Sequence, residues 1–351
     1  MDKGSRIKVL DSLRVCAILM VFLHHYYSPG IYPELGKLFY FGTLGVPLFF
    51  VISGFVITLT LERTKDYKTY LKNRFIRLSP AMLICSTIIF VFFFFLYEGE
   101  GYEHSKKISN YFIANSFIDP HVFNIIPGKI NHYYLDNAFW SLWVEVCFYI
   151  LIGFLYYINK NKYLLYFSII CLVLMPLQIV FYSNKLHSSL LNIFSEDKLY
   201  QLKIIARSLA LFSECLWFII GMLLLRLYKS NNKKYLLYIA GLLFLCILKE
   251  RNVELIVFTA LIFIFIMLFV YKPDKLKFLE TPVLLKIGTA SYCMYLIHYH
   301  LGVVFVKYLN ENFNLGYLSP LIAISAVIFF GLLCYEFLEK KLINLYKRLL
   351  N

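Results

Sequence analysis

Long apolar runs broken by short polar punctuation divide the chain into ten stretches, at approximately 9–27, 42–61, 79–97, 138–158, 163–182, 208–227, 235–249, 253–271, 284–306 and 319–339. Most approach the ~20 residues that a helix needs to cross a hydrocarbon core. Turn formers fall between them: Ser28-Pro29-Gly30, Pro80, Pro127-Gly128, Asn159-Lys160-Asn161, Asn231-Asn232, Pro273 and Pro320. The seventh run is short, and no internal repeat or low-complexity tail is visible. The pattern predicts an all-α polytopic integral membrane protein of about ten transmembrane helices, with residues 1–351 forming a single transmembrane domain. The first run follows Lys3, Arg6 and Lys8 much as a signal peptide would. Arg14, His24 and His25 interrupt it, and no small-residue cleavage site follows, so a retained first helix is expected.

Composition supports this class. Apolar residues make up 60% and charged residues 16%, against roughly 45–50% and about 25% in soluble domains. A cytosolic enzyme, a disordered chain and a nucleic-acid module are excluded. The eight cysteines sit inside apolar runs without a CxxC pair and read as buried small hydrophobes. The net charge of +14 then points to basic cytoplasmic loops rather than to nucleic acid. With the N-terminus inside, cytoplasmic segments hold 23 of the 35 Lys and Arg residues and outer segments hold 11, with Arg14 inside the first span. Both termini are therefore expected in the cytoplasm. The long segment 98–137, with Asp119, Asp136 and three histidines, is expected outside.

Ionisable groups inside apolar spans are costly, and each raises the question of function. Eleven residues at about 100° each bring His25 to within about 20° of the face of Arg14, some 16 Å further along the axis. His24 points about 80° away. Arg14 snorkelling to the interface and His25 satisfied by a neighbouring helix is the bland reading. Ser141, Glu145 and Tyr149 recur at helical spacing in the fourth span, as do Ser291, Tyr295 and His298 in the ninth. A helix facing only lipid has no use for such stripes, so both should face the interior. Glu214 is read as pairing with Arg207, seven residues before it. Gly42, Gly45 and Gly54 mark the second span as closely packed.

Taken together, these segments resemble the membrane acyltransferase-3 family. Arg14 and His25 match its Arg-x10-His signature, and Gly42 to Ile57 is similar to its G-x-x-G-V-x-x-F-F-V-I-S-G-F-x-I block. Arg74-Phe75-Ile76-Arg77-Leu78-Ser79-Pro80 resembles R-F-x-R-L-x-P, and Trp140 to Glu145 with Tyr149 resembles W-S-L-x-x-E. Ser291 to His298 is similar to S-Y-x-x-Y-L-x-H. The matches run in family order from residue 10 to about 300. One departure is Glu339-Lys340-Lys341, where the family's closing Glu-x-Pro has lost its proline, so the last helix is expected to end differently. No SGNH-type hydrolase domain is expected, which leaves transfer to the membrane part or to a separate envelope transferase.

The resemblance implies an O-acyltransferase that moves an acetyl group from cytoplasmic acetyl-CoA, a co-substrate rather than a resident cofactor, to a hydroxyl of a surface or exported glycan. The setting would be a bacterial cytoplasmic membrane, with membrane lipids and a glycan or lipid-linked glycan as partners and no metal. Arg74 and Arg77 would grip the coenzyme A phosphates, and Arg14 would hold the pyrophosphate end. His25 would act as general base or transient acyl carrier, with Glu145 orienting it or binding sugar hydroxyls. Ser141, Tyr149, Ser291, Tyr295 and His298 would line the substrate site. A transporter or flippase of a glycan or small anionic substrate is the competing class; it would show two related halves, and none is found. An acyltransferase built around His298 would leave Arg14 unexplained.

Overall fold

The computed structural model describes residues 7–125, 131–182, 187–250 and 253–350. The Pro127-Gly128 breaker and the basic residues Lys3, Arg6, Lys129, Lys185 and Arg251 lie outside them. In chain order the helices begin with α1 (Lys8–Tyr26), α2 (Gly45–Arg63), α3 (Tyr67–Val91), α4 (Ile108–Ser116) and α5 (Trp140–Ile158). Next come α6 (Tyr163–Tyr182), α7 (His187–Leu191), α8 (Glu196–Ser208), α9 (Leu211–Ser230) and α10 (Lys234–Glu250). The chain closes with α11 (Val253–Tyr271), α12 (Pro282–Ile297), α13 (His300–Phe313), α14 (Ser319–Leu333) and α15 (Lys340–Leu350). No described residue lies in a strand. Among the described residues, eight stretches are long and apolar enough to cross a membrane, and the protein is a multi-pass, all-α membrane protein. The chain folds into two compact units, Met1–Leu59 with Leu216–Leu345 and Thr60–Cys215 with Tyr346–Asn351.

In the first unit, ring packing along the helices fixes their directions. Trp217 meets Phe258 and Tyr228 meets Phe269, with ring centroids 6.0 and 5.0 Å apart. Helices α9 and α11 therefore run parallel, and α10, which joins them, must carry the chain back across. Helix α10 therefore spans back between them although it has only 17 residues. Likewise α1 and α12 run parallel. The Ser12 hydroxyl donates to the Leu279 carbonyl (2.5 Å) near one end, and His25 meets His298 near the other. Parallel pairs are what two odd-numbered and two even-numbered spans require.

Glycine lets these backbones approach. A Cβ built on Gly45 would lie 2.4 Å from the Ala17 carbonyl oxygen, and one on Gly288 only 2.2 Å from that of Asp11. Helix α1 is thus gripped on two sides by residues without side chains, the small-residue packing that lipid surroundings favour. Because the obstacle at Gly288 is backbone, Gly288→Ala should cost about 1–3 kcal/mol of overpacking strain. It should lower the thermal midpoint in detergent by several degrees. Gly241→Ala is the control, since nothing lies within 4 Å of its Cβ position.

In the second unit α3 and α5 are antiparallel. The Tyr70 hydroxyl donates to the Tyr149 carbonyl (3.2 Å), and that of Tyr157 reaches back to Thr64 (2.9 Å). Here one expectation fails. The third helix starts at Tyr67 rather than 79, and Pro80 lies inside it. Asp66 caps the start by accepting from the Thr69 amide (2.9 Å) and hydroxyl (2.8 Å), bonds that hold its carboxyl below the usual range. A proline inside a membrane helix is tolerated where neighbours satisfy the freed backbone groups. Arg74 and Arg77 are consequently helical, not loop, residues.

The ninth run also differs, because it is two helices meeting at His298 and Tyr299. The last run continues past its missing proline, through a π-helical turn at Cys334–Glu339, into α15. In the second unit, Tyr346 stacks on Phe75 at 6.0 Å. Six cysteines are buried as expected, whereas Cys147 is half-buried and Cys16 exposed.

Reporter fusions after Asn351 and within residues 100–130 should report opposite sides of the membrane, with the C-terminal reporter in the cytoplasm. Two reporters on one side would overturn the topology.

Candidate functional site

The first unit assembles a cluster of imidazoles and phenols around the end of α1. This helix is continuous from Lys8 to Tyr26, so Arg14 and His25 do share a face. The His25 ring lies 5.2 Å from that of His298 and 4.4 Å from that of Tyr299, the latter edge-on. His298 is completely buried; its Nδ1 bonds the Tyr295 carbonyl at 2.5 Å, and the Tyr26 hydroxyl donates to its own carbonyl at 2.8 Å. Tyr295 packs at 5.1 Å from His298 and edge-on to Phe49 at 5.8 Å.

Arg14 forms an ion pair with Asp11, Nη1 to Oδ1 at 2.6 Å, with Asp11 nearly buried and Arg14 partly open. A buried carboxylate therefore aims the guanidinium, whose side chain stays partly exposed. Asp11 received no role from the sequence, although its position three residues before Arg14 was the available signal. Tyr26 and Tyr299 were missed for a plainer reason: two phenols among 29 tyrosines carry no local pattern.

The His24 ring lies 5.0 Å from that of its chain neighbour His25 but packs on Tyr40 at 6.0 Å, a different neighbour from those of His25, as its angle on the helix predicts. Its Nδ1 is buried without a hydrogen-bond partner among the described residues. Ser291 is buried, and its hydroxyl donates to the Gly288 carbonyl of its own helix at 2.8 Å. Among the described residues, no three His, Cys, Asp or Glu side chains are grouped to hold a metal ion. On another flank of α1 lies an apolar cavity of about 330 Å³, walled by Leu13, Met20, Leu48, Phe55, Leu261 and Phe265. None of the imidazoles borders it, although the Glu254 carboxylate does.

The second unit carries a separate polar group between α3 and α5. The Tyr149 hydroxyl donates to Glu145, and both Glu145 and Arg74 lie within Coulombic reach of the Tyr70 hydroxyl. The Arg74 Nε is buried without a partner among the described residues, a donor that an anionic ligand could satisfy. Tyr70, four residues before Arg74, was missed despite its helical spacing. Ser141 donates to the Ala138 carbonyl at 3.3 Å.

Further along this unit, Asp119 accepts from the His121 amide (2.8 Å) and bonds its Nδ1 (2.6 Å). Burial pushes the Asp119 carboxyl up, but these bonds and the Tyr134 hydroxyl outweigh it and hold it below the usual range. Arg207, expected to pair with Glu214, lies within Coulombic reach of the Tyr134 hydroxyl, and Glu214 accepts from Ser213 at 3.1 Å.

The O-acetyl transferase of Shigella phage Sf6 is 28% identical over 152 residues, which cover 41% of this chain and 44% of that protein. The chain thus matches less than half the length of this curated relative. No solved structure matches it. The model of the acyltransferase domain family matches residues 7–249, a span that contains Arg14, His25, Arg74, Arg77 and Glu145. The chain belongs to the acyltransferase-3 family.

Proposed function

We propose that the protein is a membrane O-acetyltransferase that moves an acetyl group from cytoplasmic acetyl-CoA to a hydroxyl of a surface or exported glycan, in a bacterial cytoplasmic membrane. The observation that carries this reading is the pairing, on one helix, of an aimed cation with an imidazole in a largely buried cluster. Family membership and the printed activity of the phage relative support it.

Arg14, aimed by Asp11, is the first unit's candidate for the donor phosphates, and Arg74 and Arg77 are the second unit's. The acceptor hydroxyl gives its proton to His25 as its oxygen attacks the thioester carbonyl carbon. The carbon–sulfur bond breaks, the electron pair leaves with sulfur, and the proton passes to the thiolate. Coenzyme A and the O-acetyl ester are the products. In the covalent variant, an imidazole nitrogen of His25 attacks first and the hydroxyl then takes the acetyl group from it. Glu145 holds Tyr149 and sits in the Arg74 group, which supports a role in ordering that group more directly than one in orienting His25.

The test has two arms. Mass spectrometry of surface glycans from a deletion strain should show the loss of one acetyl mass per modified sugar, restored by the wild-type gene. Membranes holding the protein should move label from acetyl-CoA to glycan. Unchanged glycans together with no label transfer would overturn the reading.

A further inference from the structure

Helix α12 stops at Ile297, and the carbonyls of a last turn have no amide partners within their helix. The residue that follows supplies one from its side chain. His298 Nδ1 lies 2.5 Å from the Tyr295 carbonyl oxygen. A carbonyl can only accept, so Nδ1 carries the hydrogen and the lone pair of the neutral ring is on Nε2. The Tyr26 hydroxyl, from α1, pins the His298 carbonyl at 2.8 Å. The ring is wholly buried, with the rings of Phe22 at 5.3 Å, Tyr295 at 5.1 Å and His25 at 5.2 Å. The fixed tautomer makes Nε2 the accepting nitrogen, and the negative end of α12 offsets part of the cost that burial puts on a proton there. Two imidazoles joined end to end by an N–H···N bond of about 2.9 Å have their centroids at about this spacing. The rings stand at 44° to one another and the bond from His25 to Nε2 is not made in this arrangement, so one ring must turn to form it.

We propose that His298 is the proton-carrying partner of His25, an imidazole locked by the Tyr295 carbonyl that relays the proton taken from the acceptor. The inference rests on the O-acetyltransferase reading above. As the acceptor oxygen attacks the thioester carbon, its proton moves to one ring nitrogen of His25. The other His25 nitrogen passes its own proton to His298 Nε2, so the positive charge rests on His298, whose Nδ1–H remains on Tyr295. When the carbon–sulfur bond breaks and the electron pair goes to sulfur, a proton returns through the same two rings to the thiolate. Both imidazoles end neutral and nothing is oxidised or reduced. His298 acts through His25 and is a positioning residue in this scheme.

His298→Asn separates this role from packing, because its amide N–H can still donate to Tyr295 while the basic nitrogen is gone. The full-length protein in membranes should keep its acetyl-CoA KM and lose kcat by about 100-fold or more. In a His25→Ala background the same change should cost little further, since two residues that act as one unit are not additive. His298→Gln, which places an amide near Nε2 and leaves the Tyr295 carbonyl unfilled, should be as slow. Wild-type kcat in either variant, a rise in KM alone, or equal losses with and without His25 would overturn the relay. Active His25→Ala protein would instead sink the role given to His25, and absence of any acetyl transfer by wild type would sink the proposed function itself.

Discussion

His25→Ala protein should reach the membrane at normal levels and transfer acetyl groups about 10²- to 10⁴-fold more slowly than wild type, the contribution expected of a positioned acid–base group. One half-buried imidazole is a small part of the packing around α1, which is set by Gly45, Gly288 and the aliphatic residues between them. The thermal midpoint should therefore stay close to that of wild type. His25→Gln keeps a hydrogen-bonding side chain but cannot exchange a proton near neutrality, so it should be equally slow. His24→Ala should remain active, and the structure sharpens this comparison. The two rings lie 5.0 Å apart, so they differ in what they face rather than in depth along the helix. His24 packs on Tyr40, whereas His25 meets His298 and Tyr299. An active His25→Gln enzyme would leave His25 only a part in holding substrate. Acetyl trapped on His25 without acceptor present would select the covalent route.

How much of this could be read from the chain depends on the range of each interaction. The spans were legible because a bilayer imposes one length and one polarity on every crossing. Arg14 and His25 were legible because both lie on a single helix, where spacing alone fixes the angle between them. The start of α3 was not, because Pro80 carries the same letter whether it breaks a helix or sits within one. Only the Asp66 cap and the hydrogen bond of Tyr70 decide the matter. The break at His298 was hidden for the opposite reason. Its sequence continues the apolar pattern, and the interruption comes from a tyrosine 272 positions away that takes the carbonyl. Ser291 lies buried on the expected stripe, with its hydroxyl bonded back to its own helix.

Arg74→Ala should weaken acetyl-CoA binding by roughly 10- to 150-fold, the equivalent of about 1.5–3 kcal/mol for a lost charge-assisted hydrogen bond. Two features single this residue out within the basic group from Arg63 to Arg77. It is carried on α3, where the Tyr70 and Glu145 neighbourhood limits its conformations, so a ligand would pay little to order it. Its Nε is also buried without a partner among the described residues, and a buried donor left that way costs about 1–3 kcal/mol until something accepts from it. A phosphate oxygen would recover that cost on binding, whereas a cation that only sets topology would gain nothing from being placed there. Lysine should restore only part of the affinity, because an ammonium cannot offer the planar fork that grips two oxygens at once. Arg77→Ala should also weaken binding. Titration of acetyl-CoA against purified protein, alongside a thermal scan, separates the two explanations. Full rescue by Arg74→Lys, or unchanged affinity in Arg74→Ala, would mean that Arg74 serves orientation in the membrane and not the donor.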